Sequence, residues 1–419
     1  MTLRNHLYLV LAGSTFLYLA LPFYASTLLI GGSVGLIPQL HPSTWLIVAA
    51  ALVACATVGK RTNVESFYFW FYMAMMFFVV FATITTWWYS KSTGLKVVID
   101  QIIGPILLFT LLRGEYRRVP QRIFAIRNAL LAGVVLNIVV AYAVVTEAIQ
   151  QPHRDLYKSI FGVFPAPDRG FGLTDQPLAL AFVIMVALPL VLSLRSWPLR
   201  VIITFVMLAG VLLTQSRLGV VVAIVAVAYL IFQAETPIRR IGSVLVFFII
   251  LFYFYRSDLY DGVQRRFEYD SGSTLARSYG WEFALDNWQA FWWTGGGAGS
   301  VYRTVREAGA NTSLESAFTI YGFDFGFVGT ALFFGFLVAA VLRARHNSIR
   351  GARLAAALAL VVVQTYSSIS TQSAAGCVFW LAIALATCGT REVALQPTAP
   401  MPRSDLPAAS VVNSTRRYA

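Results

Sequence analysis

The sequence predicts an all-α, polytopic membrane protein with about twelve transmembrane helices and one large helical loop on the outer face. Three observations carry this expectation. Charged residues make up 12% of the 419 residues, where a soluble domain needs roughly a quarter to cover its surface. Apolar runs close to the ~20 residues needed to cross ~30 Å of hydrocarbon recur along the whole chain. Basic residues gather in short clusters between those runs, as the positive-inside rule requires. A hydrophobic content of 58% and a mean hydropathy of +0.69 fit lipid as the solvent.

The expected spans fall at about 7–24, 43–59, 64–88, 97–112, 128–147, 176–194, 199–215, 218–234, 240–255, 317–342, 352–369 and 373–388. With Arg4 inside, the inner loops carry Lys60 and Arg61, then Arg113, Arg117, Arg118, Arg122 and Arg127. Later inner loops carry Arg195 and Arg200, Arg239 and Arg240, and Arg343, Arg345, Arg350 and Arg353. Both termini are then cytoplasmic, while Lys91 and Lys96 fall outside against the trend. The Gly-rich stretch at about 25–40 reads as a re-entrant or interfacial segment; as a full span it would invert every later loop. The amino terminus has the outline of a signal peptide and reads as an uncleaved signal-anchor. Residues 1–394 form one membrane domain, and the Pro/Ser/Thr-rich tail 395–419 is expected to be disordered.

The net charge of +13 does not indicate nucleic acid, because the bases are scattered rather than gathered into one stripe. Cys55, Cys377 and Cys388 lie in apolar runs and read as small buried hydrophobes. His6, His41, His153 and His346 are far apart, and no ligand-spaced cluster occurs in the outer loops, so no metal or cofactor is expected.

The outer face holds the anomalies. One outer segment runs from Gln150 to Gln176, and a larger external loop covers about 256–316. Within it, Trp281, Leu285 and Trp288 have helical spacing, which predicts an amphipathic helix at the membrane surface. The run Gly295-Gly296-Gly297-Ala298-Gly299 follows and reads as a flexible turn. Outer arginines include Arg169, Arg217, Arg265, Arg266 and Arg277. Arg217 stands apart, since it sits between two apolar runs with no room for a loop. An arginine there costs ~2.5–3.5 kcal/mol at the bilayer centre, so a polar cavity or snorkelling toward the interface is expected. Guanidinium groups bind phosphate bidentately, which suits a lipid-linked pyrophosphate. Glu315, leading into the span with Gly322, Gly326 and Gly329, is a candidate general base for a sugar hydroxyl. The simpler account is a first-turn carboxylate favoured by the helix dipole, and Asp324 reads as structural.

Four pieces in order resemble the O-antigen polymerase and ligase superfamily of bacterial envelope glycosyltransferases. They are Arg169-Gly170 followed by Asp175-Gln176-Pro177; Gln215-Ser216-Arg217-Leu218-Gly219; Arg277 with Trp281 and Ala284 before Gly295–Gly299; and Glu315 before Gly322, Gly326 and Gly329. The resemblance covers roughly residues 165–335. Ligases of that family carry a His in the segment that holds Asn311 to Ser316 here, and this chain has none. The resemblance therefore implies a polymerase of a surface polysaccharide or exopolysaccharide, working at the periplasmic face of the bacterial inner membrane. Its implied donor and acceptor are undecaprenyl-pyrophosphate-linked oligosaccharides, with a flippase and a chain-length regulator as partners alongside membrane lipid. Glu315, Arg217 and Arg277 would be catalytic, and Arg169, Arg265, Arg266 and Trp281 would bind substrate. A ligase, or a flippase using internal arginines for the same lipid-linked substrate, are the alternatives.

Overall fold

The computed structural model describes residues 3–23, 40–56, 65–152, 154, 158, 169–234, 236–256, 260, 264, 271–309, 314–344, 348–365 and 368–389. The stretch 25–39, Lys60 and Arg61, and the tail from residue 390 lie outside them. Each expected span falls on helix. In chain order these are α1 (Leu7–Ala20), α2 (Pro42–Ala56), α3 (Ser66–Tyr89), α4 (Lys91–Val98), α5 (Gly104–Arg118) and α6 (Ile123–Val145). Then come α7 (Pro177–Ala187, continued by a 3-10 turn Leu188–Ser193), α8 (Trp197–Leu213), α9 (Arg217–Phe232) and α10 (Pro237–Tyr255). The remainder are α11 (Ser271–Asn287), α12 (Ser300–Glu307), α13 (Ala317–Phe325), α14 (Phe327–Arg343), α15 (Ala352–Val362) and α16 (Ala374–Thr387). Among the described residues three stretches are long and apolar enough to cross a membrane: Ser66–Tyr89, Gly94–Arg118 and Pro120–Val145. Others, such as Leu7–Ala20 and Ala374–Thr387, are apolar but shorter. The count of twelve spans remains an expectation of the sequence.

Two helices form the centre. Every residue of α16 is buried, and so is nearly every residue of α7. All-round apolar helices belong in a core or a membrane, and these two are enclosed by other helices. α16 packs on α5, α7 and α15, and α1 packs on α6 and α2. The periphery is equally apolar but outward-facing: α3 exposes Trp70, Phe77, Trp87 and Trp88, and α10 exposes Ile238, Ile241, Leu245 and Phe248. Apolar side chains on both faces suit a bundle solvated by hydrocarbon. Cys377 and Cys388 are buried as expected, whereas Cys55 on α2 is exposed.

Several polar groups inside the bundle are tied into hydrogen-bond networks. Between α4 and α5 the chain makes a π turn, Ile99–Ile103, which carries Asp100. The Asp100 carboxylate accepts Thr44 Oγ1–H at 2.6 Å, Gln372 Nε2–H at 2.8 Å and the His41 N–H at 3.3 Å. Tyr18 and Thr44 share a hydrogen bond of 2.7 Å, so the carboxylate links α1, α2, the π turn and the approach to α16. His41 is neutral there: its Nδ1 accepts the Ser43 N–H, which leaves Nε2–H for the Leu21 carbonyl. Burial pushes its pKa down to about 4. The basic run predicted to be cytoplasmic folds onto Glu115, whose carboxylate binds Arg118 and Arg122, each at 2.9 Å. Arg113 lies 3.2 Å over the Tyr68 ring.

The span expected at 317–342 is broken into α13 and α14 at Gly326. Gly326 has φ +89°, and a Cβ there would lie 2.5 Å from the Trp293 carbonyl oxygen, so glycine is required. The Gly-rich turn wraps this break and is not the flexible turn that its composition suggests. Gly296 N–H bonds to Phe323 O at 3.0 Å, and Gly297 N–H to Asp324 O at 2.8 Å. Ser90 Oγ donates to Gly296 O, and Ala298 N–H donates to Thr86 Oγ1, which ties the turn to the end of α3. Asp324 is structural, as expected: its carboxylate accepts Gly299 N–H, Ser300 Oγ–H and Val301 N–H at 2.8–3.0 Å, capping α12. Asp324→Ala should leave three donors without that acceptor, at ~1–3 kcal/mol for each one left buried. Thermal unfolding in detergent should show the loss, with Asp324→Asn, which keeps one acceptor oxygen, falling between the two.

Candidate active site

Two corners of the bundle hold the candidate residues. The first is the α8–α9 junction. After Leu213 the chain reverses within three residues, with Gln215 in the left-handed region at φ +48°. Ser216 is extended and caps α9, its Oγ accepting the Gly219 N–H at 3.1 Å. Arg217 is therefore the first residue of α9, half-buried at a helix start rather than in mid-span. A helix start already carries partial positive charge. A guanidinium added to it favours an anion over any neutral ligand.

Arg169 reaches the same junction. Its Nε–H donates to the Thr214 carbonyl at 3.0 Å, and the Gly170 N–H donates to the Leu213 carbonyl at 2.9 Å. These are late carbonyls of α8, where a cation is favoured by the dipole. The segment behind Arg169 is fixed by a residue that the sequence did not reveal, Asn137 in mid-α6. Asn137 Oδ1 accepts the Leu173 N–H at 2.8 Å, while Nδ2–H groups go to Leu19 O and Gly133 O, both at 2.8 Å. Gln151 Nε2–H adds a bond of 2.7 Å to Gly172 O. Gly172 (φ +59°) is needed because a Cβ would stand 2.4 Å from Asn137 O. An asparagine in an apolar helix was the available signal, since a polar side chain within a span marks a required partner.

The second corner joins α11 to the start of α13. Arg277 lies on α11, but its side chain is outside the described set, and Arg265 and Arg266 are outside it entirely. α11 buries Gly280, Phe283 and Ala284 and leaves Trp281 53% and Leu285 68% exposed. The expected helix is present, with its Trp281/Leu285 stripe facing away from the protein and Trp288 in the 3-10 turn that follows. Gly280 lies against Leu314, and the Phe283 ring is 5.4 Å from that of Phe323. Glu315, half-buried, thus sits next to the residue on which α11 rests. α13 begins at Ala317 with Ser316 as its cap, so Glu315 precedes the helix. This corrects the first-turn account: a carboxylate outside the turn is poorly placed to serve the dipole.

The family model described as O-Antigen ligase matches residues 202–334, which bears out the resemblance to the O-antigen polymerase and ligase superfamily. No curated protein and no solved structure matches the chain. The matched segment contains Arg217, Arg265, Arg266, Arg277, Trp281 and Glu315, and the Arg169–Thr214 contact brings the remaining candidate onto it.

Asp175, in the same strap as Arg169, gives a pH test of this corner. Desolvation raises its carboxyl to about 7, although the Phe23 N–H that it accepts pulls the other way. An unfolded aspartate titrates near ~3.9. The folded state thus holds the proton more tightly, and this contribution to stability is full below about pH 4 and lost as pH rises toward 7. Asp175→Asn keeps an acceptor for Phe23 and removes the titration. Its melting temperature should fall less than that of the wild type between pH 5 and 8; parallel curves would refute the assignment.

Proposed function

We propose that this chain polymerises lipid-linked oligosaccharide repeat units into a surface polysaccharide or exopolysaccharide at the periplasmic face of the bacterial inner membrane. The family match supports glycan transfer of the O-antigen ligase and polymerase type by a multi-pass membrane protein. One contact carries the finer reading: Arg169 hydrogen-bonded to the carbonyl beside the Ser216–Arg217 cap. It gathers two arginine segments, far apart in sequence, at one helix start.

In the reaction, a polyprenyl-pyrophosphate-linked chain is the donor and a sugar hydroxyl of a second lipid-linked unit is the acceptor. Glu315 takes the hydroxyl proton, and the oxygen attacks the anomeric carbon from the face opposite the pyrophosphate. The bond from that carbon to the pyrophosphate oxygen breaks, with its electrons leaving on the lipid pyrophosphate and inversion at carbon. Arg217 and Arg277 hold the diphosphate and stabilise its developing charge; Arg169, Arg265 and Arg266 support them, and Trp281 offers an exposed ring for a sugar face. The step uses no metal.

The family description favours a second reading, transfer of finished glycan to lipid A-core; the missing His between Asn311 and Ser316 counts against it. Cells carrying Arg217→Ala or Arg277→Ala should lose polymer ladders and accumulate single repeat units, with activity down by ~10²-fold or more. Glu315→Gln should cost ~10²–10⁴-fold while leaving substrate binding in place. Intact ladders in both arginine variants would refute the polymerase, and polymer that forms but stays unattached to lipid A-core would indicate the ligase.

A further inference from the structure

The opposite end of α8 and α9 from Arg217 holds a groove that this reaction does not use. It lies between α8, α9 and α10, has a volume of about 70 Å³, and is lined by Trp197, Arg200, Thr204, Val227, Arg239 and Phe247 among others. A second cavity of about 70 Å³ continues it along the same helices, shares Leu208 and Phe247, and has apolar walls. The polar end is positively charged by two independent features. α8 and α10 both start there, and neither has an acidic residue in its first turn. Arg200 and Arg239 stand within four residues of those starts. Cations at helix starts are disfavoured by the dipole, and an anion relieves both. Arg195, Arg200, Arg239 and Arg240 belong to the clusters that the positive-inside rule assigns to the cytoplasmic side.

We propose that this groove is a binding site for an anionic phospholipid of the inner leaflet. The phosphate is held between Arg200 and Arg239, and one acyl chain lies past Thr204, Leu208 and Phe247 into the second cavity. The charge matches a phosphate diester, and the apolar continuation separates a phospholipid from free phosphate. α8 is 17 residues long, so the site lies about 25 Å from the Arg217 corner and is a separate one.

The test uses the full-length protein, stripped of lipid in detergent. Binding would be read by native mass spectrometry and melting temperature with phosphatidylglycerol, phosphatidylcholine or inorganic phosphate. Phosphatidylglycerol should be retained and should raise the melting temperature, and the other two should not. Arg239→Gln should weaken phosphatidylglycerol at least about fivefold, and Arg200→Gln combined with it about tenfold or more. Thr204→Phe, which fills the groove without removing charge, should weaken it as well. Because the Arg200 Nε–H also bonds to the Leu194 carbonyl, the Arg239 and Thr204 variants decide the matter if the double variant is unstable. Equal retention of phosphatidylcholine, the same stabilisation by inorganic phosphate, or unchanged phosphatidylglycerol binding in Arg239→Gln and Thr204→Phe would overturn the proposal.

Discussion

The hydrogen bonding of the Asp324 carboxyl group is the interaction on which the arrangement of the Gly-rich turn and α12 rests. Asp324 sits two residues before the helix break at Gly326, and its three bonds are to backbone and hydroxyl donors from Gly299 to Val301. Those donors start α12, and the glycines before them seat the turn on α3 and on the break itself. A single buried carboxyl group thus fixes the Gly-rich turn and α12 relative to the bundle. A buried carboxyl group is tolerated only when its hydrogen bonds are complete, and here the helix start supplies them. The break ends α13, whose other end, at the Ser316 cap, follows directly on Glu315.

A second buried polar group does comparable work at the other corner. The Asn137 carboxamide satisfies two carbonyls on its own side of the bundle and one N–H of the Arg169 segment. In a low-dielectric surround these bonds are hard to exchange for water. The Arg169 strap is thereby fixed on α6, with its arginine at the end of α8. Positioning comes from groups that never touch substrate in the proposed reaction, and the arginines inherit it.

Much of the fold was legible, and for a physical reason. A hydrocarbon solvent demands long apolar runs, so helix positions are written in hydropathy; expected spans and observed helices coincide to within a few residues at most ends. Hydropathy does not distinguish lipid-facing from enclosed surface, since both are apolar. Trp380 is fully buried while Trp88 is 75% exposed, though both lie in equally apolar runs. The order of the Gly-rich turn is invisible in its composition because its partners, Thr86, Ser90 and Asp324, lie far away in sequence. Arg217 and Glu315 were visible as charges that topology does not explain. Asn137 announces itself only as a polar residue in an apolar span, which signals that a partner is required without saying which, and Gln151 carries no pattern at all. The broken span at Gly326 also escaped, since a glycine within an apolar run signals flexibility without saying what presses against it.

The π turn at Ile99–Ile103 sets the rotational phase of the helix that runs from Lys91 to Arg118. An α-helix advances each residue by about 100°, so the one extra residue in a π turn re-aims everything on one side of it against everything on the other. Asp100 and Gln101 point at the approach to α16, where they meet Gln372 and Ser373, while beyond the turn Phe109 packs on Trp380. Deleting a single residue here would hardly shorten the helix. It would swivel α4 about its axis, take the carboxylate out of its nest, and leave the hydrophobic length of the span almost untouched.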